Sequence, residues 1–429
     1  MIIGDAMQVP REKTTLLRLT AEELQNNYRL RAFHLRESGS GLIVAEGEGD
    51  QKILPEGYTG IAFANRRWYA HNAERNILYS ITDNAEIPEV SAPYHLVCYP
   101  NYEGNLAVYC VTENGVAQLS KRAIVPLVEY NGGVCAAAYH DRIFAAKGDR
   151  LFYSTALDVR SWDMSRYGAG FLDLVWAEAG DILDMWPYKD KLYLFRRRGI
   201  TCLRALGDEL NFKAVHLPMK CGNLLNNSVA PCGENIGYFT DCGFYLFNGA
   251  SSHLAENSRC GELDLTAAVK AQSYRGKYYA SVQKKGGGRI TYCYDPDLKR
   301  AHFIENGATD LAVGDGLYFV RGSAYYRMTE QGIANGFTPF LTADNIAFSV
   351  GEEKMLRALA IEGEGTFSVT VTSNRGSRTV NGSAGEVLKL RSPLRGNGFA
   401  ITVSAADANA KETRFQAVQL RITEESNDN

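Results

Sequence analysis

The chain has 429 residues, 45% of them hydrophobic and 22% charged, a balance that fits a soluble globular protein of two or three domains, or one large β domain with an appendage. A formal net charge of −3 excludes a strong field for nucleic acid or anionic lipid, so no sequence-specific nucleic-acid partner is expected. The nine Cys form no Cys-x-x-Cys pair and no His follows at zinc-finger spacing, which excludes a disulfide scaffold or zinc module, leaves buried reduced thiols, and implies no metal or cofactor.

Aromatics reach 11%, with 41 Gly and 12 Pro, a mixture that favours many strands and many turns. No apolar run approaches a membrane span, and Met1-Ile2-Ile3-Gly4-Asp5 lacks the cationic and apolar segments of a secretory signal. Residues 1–57 differ in kind from the rest and read as an N-terminal extension that supplies a ring-closing strand. Within it, Thr20-Ala21-Glu22-Glu23 fits a capping box. Tyr28 to Arg36 reads as a strand, and Glu46-Gly47-Glu48-Gly49-Asp50 as a solvated loop without the ligand register of a calcium site.

From Tyr58 a repeat emerges. Its marker is a short apolar-aromatic strand inside a hairpin, placed at Arg67–Ala70, Leu106–Tyr109, Ile143–Ala145, Leu192–Phe195, Ile236–Phe239, Lys277–Ala280 and Leu317–Val320. Successive markers lie roughly 35 to 50 residues apart, the length of a four-stranded propeller blade. Turn chemistry agrees: Glu113-Asn114-Gly115, Asp241-Cys242-Gly243 and Gly314-Asp315-Gly316 are hairpin signals. Each such sheet must cover two apolar faces, and radial stacking does so. The pattern therefore predicts a seven-bladed β-propeller over 58–334, with six or eight blades as alternatives. After Ala334, Met355–Ile361, Thr366–Thr372, Glu386–Leu390, Gly398–Ser404 and Arg414–Ile422 read as strands, and clean alternation at Phe367, Val369 and Val371, at Phe399, Ile401 and Val403, and at Val418, Leu420 and Ile422 predicts a small antiparallel β-sandwich over 335–429, ending in a frayed polar tail from Glu424. The fold class is all-β.

Motifs with chemistry are sparse. Lys284 to Arg289 is Gly-rich beside Lys but lacks the order of a phosphate loop, so it reads as a hairpin tip. There is no Gly-x-Ser-x-Gly elbow, and the Asp box of sialidase-like propellers is absent. Asp173, Asp181, Asp184 and Asp190 lie near one blade, yet nothing pairs them in sequence, so no catalytic residue is assigned. The seven His are isolated and read as turn or core hydrogen-bonders. Arg196-Arg197-Arg198 is the sharpest charge cluster. It reads as a solvated hairpin tip and, with Trp162 in a loop, supplies the candidate interface residues.

The stretch from Ala136 to Leu203 resembles a known family. It carries a His-Asp-Arg-Ile-Phe-Ala-Ala hairpin closing at Ser154, a Ser161-Trp162-Asp163 loop, a Gly180-Asp181-Ile182 connection and the run Lys191 to Ile200. This pattern is similar to that of β-propeller structural proteins of tailed bacteriophages, with packaged-DNA stabilisation or tail hub (head–tail connector) proteins as the nearest named relatives. The resemblance implies a non-enzymatic virion component, assembled in the bacterial host cytoplasm from homo-oligomers and other phage structural proteins. The alternative reading is a carbohydrate-binding or carbohydrate-cleaving propeller with an accessory sandwich. Two carboxyls at the central channel mouth would favour it.

Overall fold

The computed structural model describes residues 13–21, 23, 31–33, 35–38, 41–44, 47–101, 103–120, 124–128, 132–164, 168–176, 178–219, 222–256, 260–267, 269–329, 340–347, 353–406 and 413–424. The expected boundary at 334/335 and the polar tail beyond Glu424 lie outside the described residues. The chain is all-β, and its repeated four-stranded antiparallel sheets have the architecture of a β-propeller. It divides into two compact units: one of Gly49–Ala301 and Glu305–Met328, the other of Met1–Glu48, His302–Ile304 and Thr329–Asn429.

Between residues 47 and 329 the sheets follow one plan. Sheet 1 runs Gly60–Ala64, Arg67–Asn72, Ile77–Ser80, Ala85–Ile87, and sheet 2 runs Tyr94–Pro100, Leu106–Thr112, Gly115–Leu119, Ile124–Val128. Sheet 3 comprises Cys135–Tyr139, Arg142–Lys147, Arg150–Tyr153 and Gly170–Asp173; sheet 4 comprises Ile182–Tyr188, Lys191–Arg196, Gly199–Arg204 and Lys213–Pro218. Sheet 5 is Ala230–Cys232, Asn235–Thr240, Gly243–Phe247 and Ser252–Glu256, and sheet 6 is Lys270–Tyr274, Lys277–Gln283, Arg289–Asp295 and Arg300–Ile304. Sheet 7 takes Asp310–Val313, Leu317–Arg321 and Ala324–Thr329 from late in the chain, and its outermost strand, Gly47–Ile53, from before sheet 1. The segment Gly47 to Asp50 is thus a strand rather than a loop. Gly and acidic residues are poor strand formers, and here the unpaired edge of Ala324–Thr329 supplies the ladder that local propensity does not.

Every predicted marker falls on the second strand of its sheet. Those strands read as continuous buried runs, for instance five consecutive buried residues in Leu192–Arg196 and in Tyr278–Val282, because a sheet stacked on both faces hides both sides of its central strands. Apolar clusters join neighbouring sheets: Leu78 and Val108 across sheets 1 and 2, Val111 and Ile143 across 2 and 3, Phe144 and Leu194 across 3 and 4, Phe195 and Tyr238 across 4 and 5. Phe239 and Phe244 of sheet 5 meet Tyr278 and Tyr292 of sheet 6. Sheet 7 packs on sheet 1 through Tyr318, Val320, Ile61 and Ala70. Each fully buried Phe or Leu in these seams contributes about 1.5–3 kcal/mol over an exposed one.

In the other unit, Leu35–Ser38, Gly41–Val44, Arg414–Glu424, Lys354–Glu364 and Val387–Gly396 form one sheet, with Lys13–Thr20 also paired to Arg414–Glu424. Arg31–Phe33, Phe340–Ala347, Gly398–Ala405, Thr366–Ser373 and Gly376–Ser383 lie side by side in the second. Leu359, Val418 and Leu420 from the first sheet share a core with Val369, Ile401 and Val403 from the second, as the alternation requires. The capping box forms: Thr20 N donates to Glu23 Oε2 (2.8 Å) and Glu23 N donates to Thr20 Oγ1 (3.1 Å).

Candidate functional site

The side chains of the Ala136–Leu203 motif are used up inside the fold. Arg142, 2% exposed, donates from Nη1 to Ser154 O (2.7 Å) and to Gly168 O, and from Nη2 to Gly207 O beyond the third strand of sheet 4 (3.0 Å). The Ser154 hydroxyl accepts from Ile143 N (3.0 Å). Gly148, at φ +60° in the hairpin turn, offers its carbonyl to Ile182 N (3.0 Å). Arg196 is fully buried. It donates to Gly180 O (2.7 Å), Leu174 O (2.6 Å) and the Asp149 carboxylate, with Trp176 at 5.6 Å. The motif is a fastening between sheets 3 and 4.

That placement changes the picture of the candidate interface. Arg196 does not sit in a solvated turn; it is the last residue of a strand and points back between sheets, where carbonyls and Asp149 compensate its charge. Trp162 is 2% exposed and donates its indole N–H to Val159 O (2.9 Å), so it packs in the seam of sheets 2 and 3 instead of anchoring a partner. Arg197 and Arg198 remain exposed at the turn, and Arg198 Nε donates to Asn223 Oδ1 (3.1 Å).

The chemistry gathers elsewhere. The first strands of six sheets line a cavity of about 490 Å³, through Ile61–Phe63, Tyr94–Cys98, Ala136–Ala138, Asp184–Pro187, Lys270 with Gln272, and Ala312–Val313. Strand alternation directs Lys270 and Gln272 into it while Ala271 turns to the packed face. Asp184 Oδ1 accepts from Met185 N (2.8 Å). Burial pushes the Asp184 carboxyl up to about 7, and the Met185 N–H and the Lys270 ammonium pull against that rise. Burial pulls His95 down to about 4, and Lys270 adds to the fall. Its Nε2 lies 2.6 Å from Val134 O, so Nε2 carries the proton and Nδ1 is left as an acceptor.

Asp310 stands beside the cavity on the first strand of sheet 7. Its Oδ2 accepts from Ile61 N (2.9 Å) and its Oδ1 from Leu311 N (2.9 Å). The absence of a side chain at Gly60 permits this approach, since a Cβ there would stand 3.2 Å from Oδ2. Burial raises the Asp310 carboxyl; Lys270, the two N–H groups and Arg289 oppose it. Burial also pushes the Tyr94 phenol well up, with Asp310 adding to it. Lys270 is thus within electrostatic range of a carboxyl on sheet 4, a carboxyl on sheet 7 and an imidazole on sheet 2.

Of the four carboxyls the sequence brought forward, only Asp184 reaches this cavity. Asp173 is exposed and pairs with Arg150 (2.6 Å), Asp181 is exposed, and Asp190 is an exposed turn residue at φ +57°. His95, Lys270, Gln272 and Asp310 were not singled out. The signal that could have found them is positional: each lies on the strand just before a marker strand. Among the described residues no group of three or more His, Cys, Asp or Glu is gathered to hold a metal, and no helix is long and apolar enough to cross a membrane.

No protein-family model matches the chain, and no curated protein matches it. Solved structures align with it at low identity. The extracellular domain of a hybrid two-component system from B. thetaiotaomicron aligns at 13% identity and TM-score 0.43 over 79% of this chain and 46% of that one, so the chain spans about half of that structure. An exo-β-1,3-galactanase from Phanerochaete chrysosporium aligns at 11% identity and TM-score 0.28 over 86% of this chain and 100% of that one. A family 43 arabinoxylan arabinofuranohydrolase from Bacillus subtilis aligns at 9% identity and TM-score 0.25 over 91% and 95%. At these scores no residue role is transferred.

These findings correct the phage reading. No family model and no curated protein match the chain, and the structures named are a bacterial extracellular domain and two carbohydrate-cleaving enzymes, none of them a virion component, so the virion location, the phage family and the non-enzymatic assignment are left without support. The physical reason is that the quoted motif consists of strand, turn and inter-sheet fastening residues. Such residues report the packing of two neighbouring sheets and are indifferent to what the whole particle does.

Proposed function

We propose that sheets 1 to 7 are the blades of a seven-bladed propeller, that the second unit is a β-sandwich, and that the axial cavity binds a carbohydrate and hydrolyses its glycosidic bond. The closed order of the sheets, with sheet 7 packed on sheet 1 and completed by Gly47–Ile53, supports the blade count. The observation that carries the function is Asp184, a carboxyl held at about 7 inside a cavity that also offers an ammonium, an amide and a neutral imidazole to hydroxyl groups.

At neutral pH about half of the Asp184 side chains hold a proton, which goes to the departing glycosidic oxygen as the C–O bond breaks. Water adds to the anomeric carbon, and its proton passes to a second carboxylate. Asp310, fixed by two main-chain N–H groups, has that role. Trp186 and Tyr94 line the same space.

The test is turnover of a panel of aryl glycosides and oligosaccharides by the whole chain. Asp184→Asn lowers kcat by roughly 10²–10⁴-fold, and wild-type activity falls as pH rises through about 7. A folded wild-type protein that cleaves none of the panel defeats the hydrolytic part of the proposal.

A further inference from the structure

We propose that the sugar accepted by the axial cavity is an acidic one, a uronic acid whose carboxylate is held by Lys270 and Gln272. The inference rests on the carbohydrate reading above and narrows it. Lys270 and Gln272 are alternate residues of the strand Lys270–Tyr274, so both side chains face the cavity from one element. Among the described residues neither the Lys270 ammonium nor the Gln272 amide has a hydrogen-bond partner or an ion pair within 4 Å. A half-buried ammonium beside a half-buried amide, both without acceptors and with about five N–H groups between them, is a donor set for a carboxylate.

The surrounding charge does not cancel that preference. Asp310 faces Lys270 from sheet 7 without an ion pair to it; each of its oxygens accepts one main-chain N–H, from Ile61 and Leu311, and keeps a lone pair for a proton, with Arg289 also near. Asp184 faces it from sheet 4 and is protonated in about half the molecules at neutrality and in more of them below. His95 faces it from sheet 2 and stays neutral down to about pH 4. At pH 6 the cavity therefore keeps uncommitted positive charge at Lys270. A neutral sugar would leave that charge desolvated and unpaired, and an acidic sugar would neutralise it.

The experiment is calorimetric or NMR-detected binding to the full chain at pH 6 and low salt. It compares methyl glucuronide and methyl galacturonide with methyl glucoside and methyl galactoside, and includes inorganic sulfate. The expected result is at least tenfold tighter binding of one uronide than of its neutral counterpart, lost in Lys270→Met and largely kept in Lys270→Arg. Circular dichroism checks that both variants are folded, and if Lys270→Met is not, the retained preference of Lys270→Arg and the wild-type comparison decide. Equal binding of neutral and acidic sugars overturns the inference and leaves the carbohydrate reading standing. Binding of sulfate as tight as the uronide overturns the inference in favour of a bare anion pocket. Binding of none of the sugars by folded protein overturns both.

Discussion

Arg196 offers the most direct test of how the motif region works. Its guanidinium is fully buried and holds two main-chain carbonyls and Asp149. Arg196→Ala removes all three donors at once. The Asp149 side chain is 40% exposed and rehydrates when released, so its share of the loss is small. Leu174 O and Gly180 O are the expensive partners, since a buried acceptor left without a donor costs about 1–3 kcal/mol. Loss of the guanidinium packed 5.6 Å from Trp176 adds to this. The total is about 3–5 kcal/mol, the range for breaking a buried charged network from one side. A change of that size lowers the melting midpoint of the propeller-like unit by roughly 6–15 °C. Near-UV circular dichroism follows the melt, and Arg198→Ala serves as the control, because losing that exposed side chain should change stability by only about 0.5 kcal/mol or less. Equal melting of Arg196→Ala and Arg198→Ala would refute the buried fastening and restore a solvated turn.

Further outcomes follow from the cavity and its seams. Asp184 titrates near 7 in the fold against 3.8 ordinarily, so the folded state binds the extra proton and Asp184 makes stability fall as pH rises from about 4 to 7, by up to about 4 kcal/mol. His95 acts oppositely: its folded value near 4 lies below the ordinary 6.5, so its contribution is present above 6.5 and lost as pH falls toward 4. Asp184→Asn should therefore leave a stability that rises with pH between 4 and 6.5, whereas His95→Gln should leave one that falls; denaturant melts across that range decide, and identical profiles would count against both shifts. Asp310→Ala strips the acceptor from Ile61 N, costs about 1–3 kcal/mol, and speeds hydrogen exchange of the Ile61 amide; an amide as protected as before means another acceptor has taken over. Gly133→Ala would drive a Cβ to 2.6 Å from Ala146 O and 2.7 Å from Ala146 N, so it should lower stability by about 1–3 kcal/mol; a neutral result would mean the backbone there yields freely.

The repeat was legible in the chain because its cause is local. A strand buried on both faces must be a continuous apolar run, and a tight turn must be Gly, Asn or Asp. Leu192–Phe195 and Glu113-Asn114-Gly115 therefore announce hairpins without any knowledge of their neighbours. The alternation of Phe367, Val369 and Val371 likewise announced a sheet with one wet face. Tertiary structure alone decided what depends on residues distant in sequence. Gly47–Ile53 became a strand because an edge more than 270 positions later needed a partner. Arg196 left solvent because Asp149 and two carbonyls converge on it from other segments, which no local pattern of three arginines can reveal. The cavity is the extreme case. His95, Asp184, Lys270 and Asp310 come from four different sheets, each an ordinary residue in its own strand, and the titration of His95, Asp184 and Asp310 is set by a shared low-dielectric space that exists only once those first strands stand side by side.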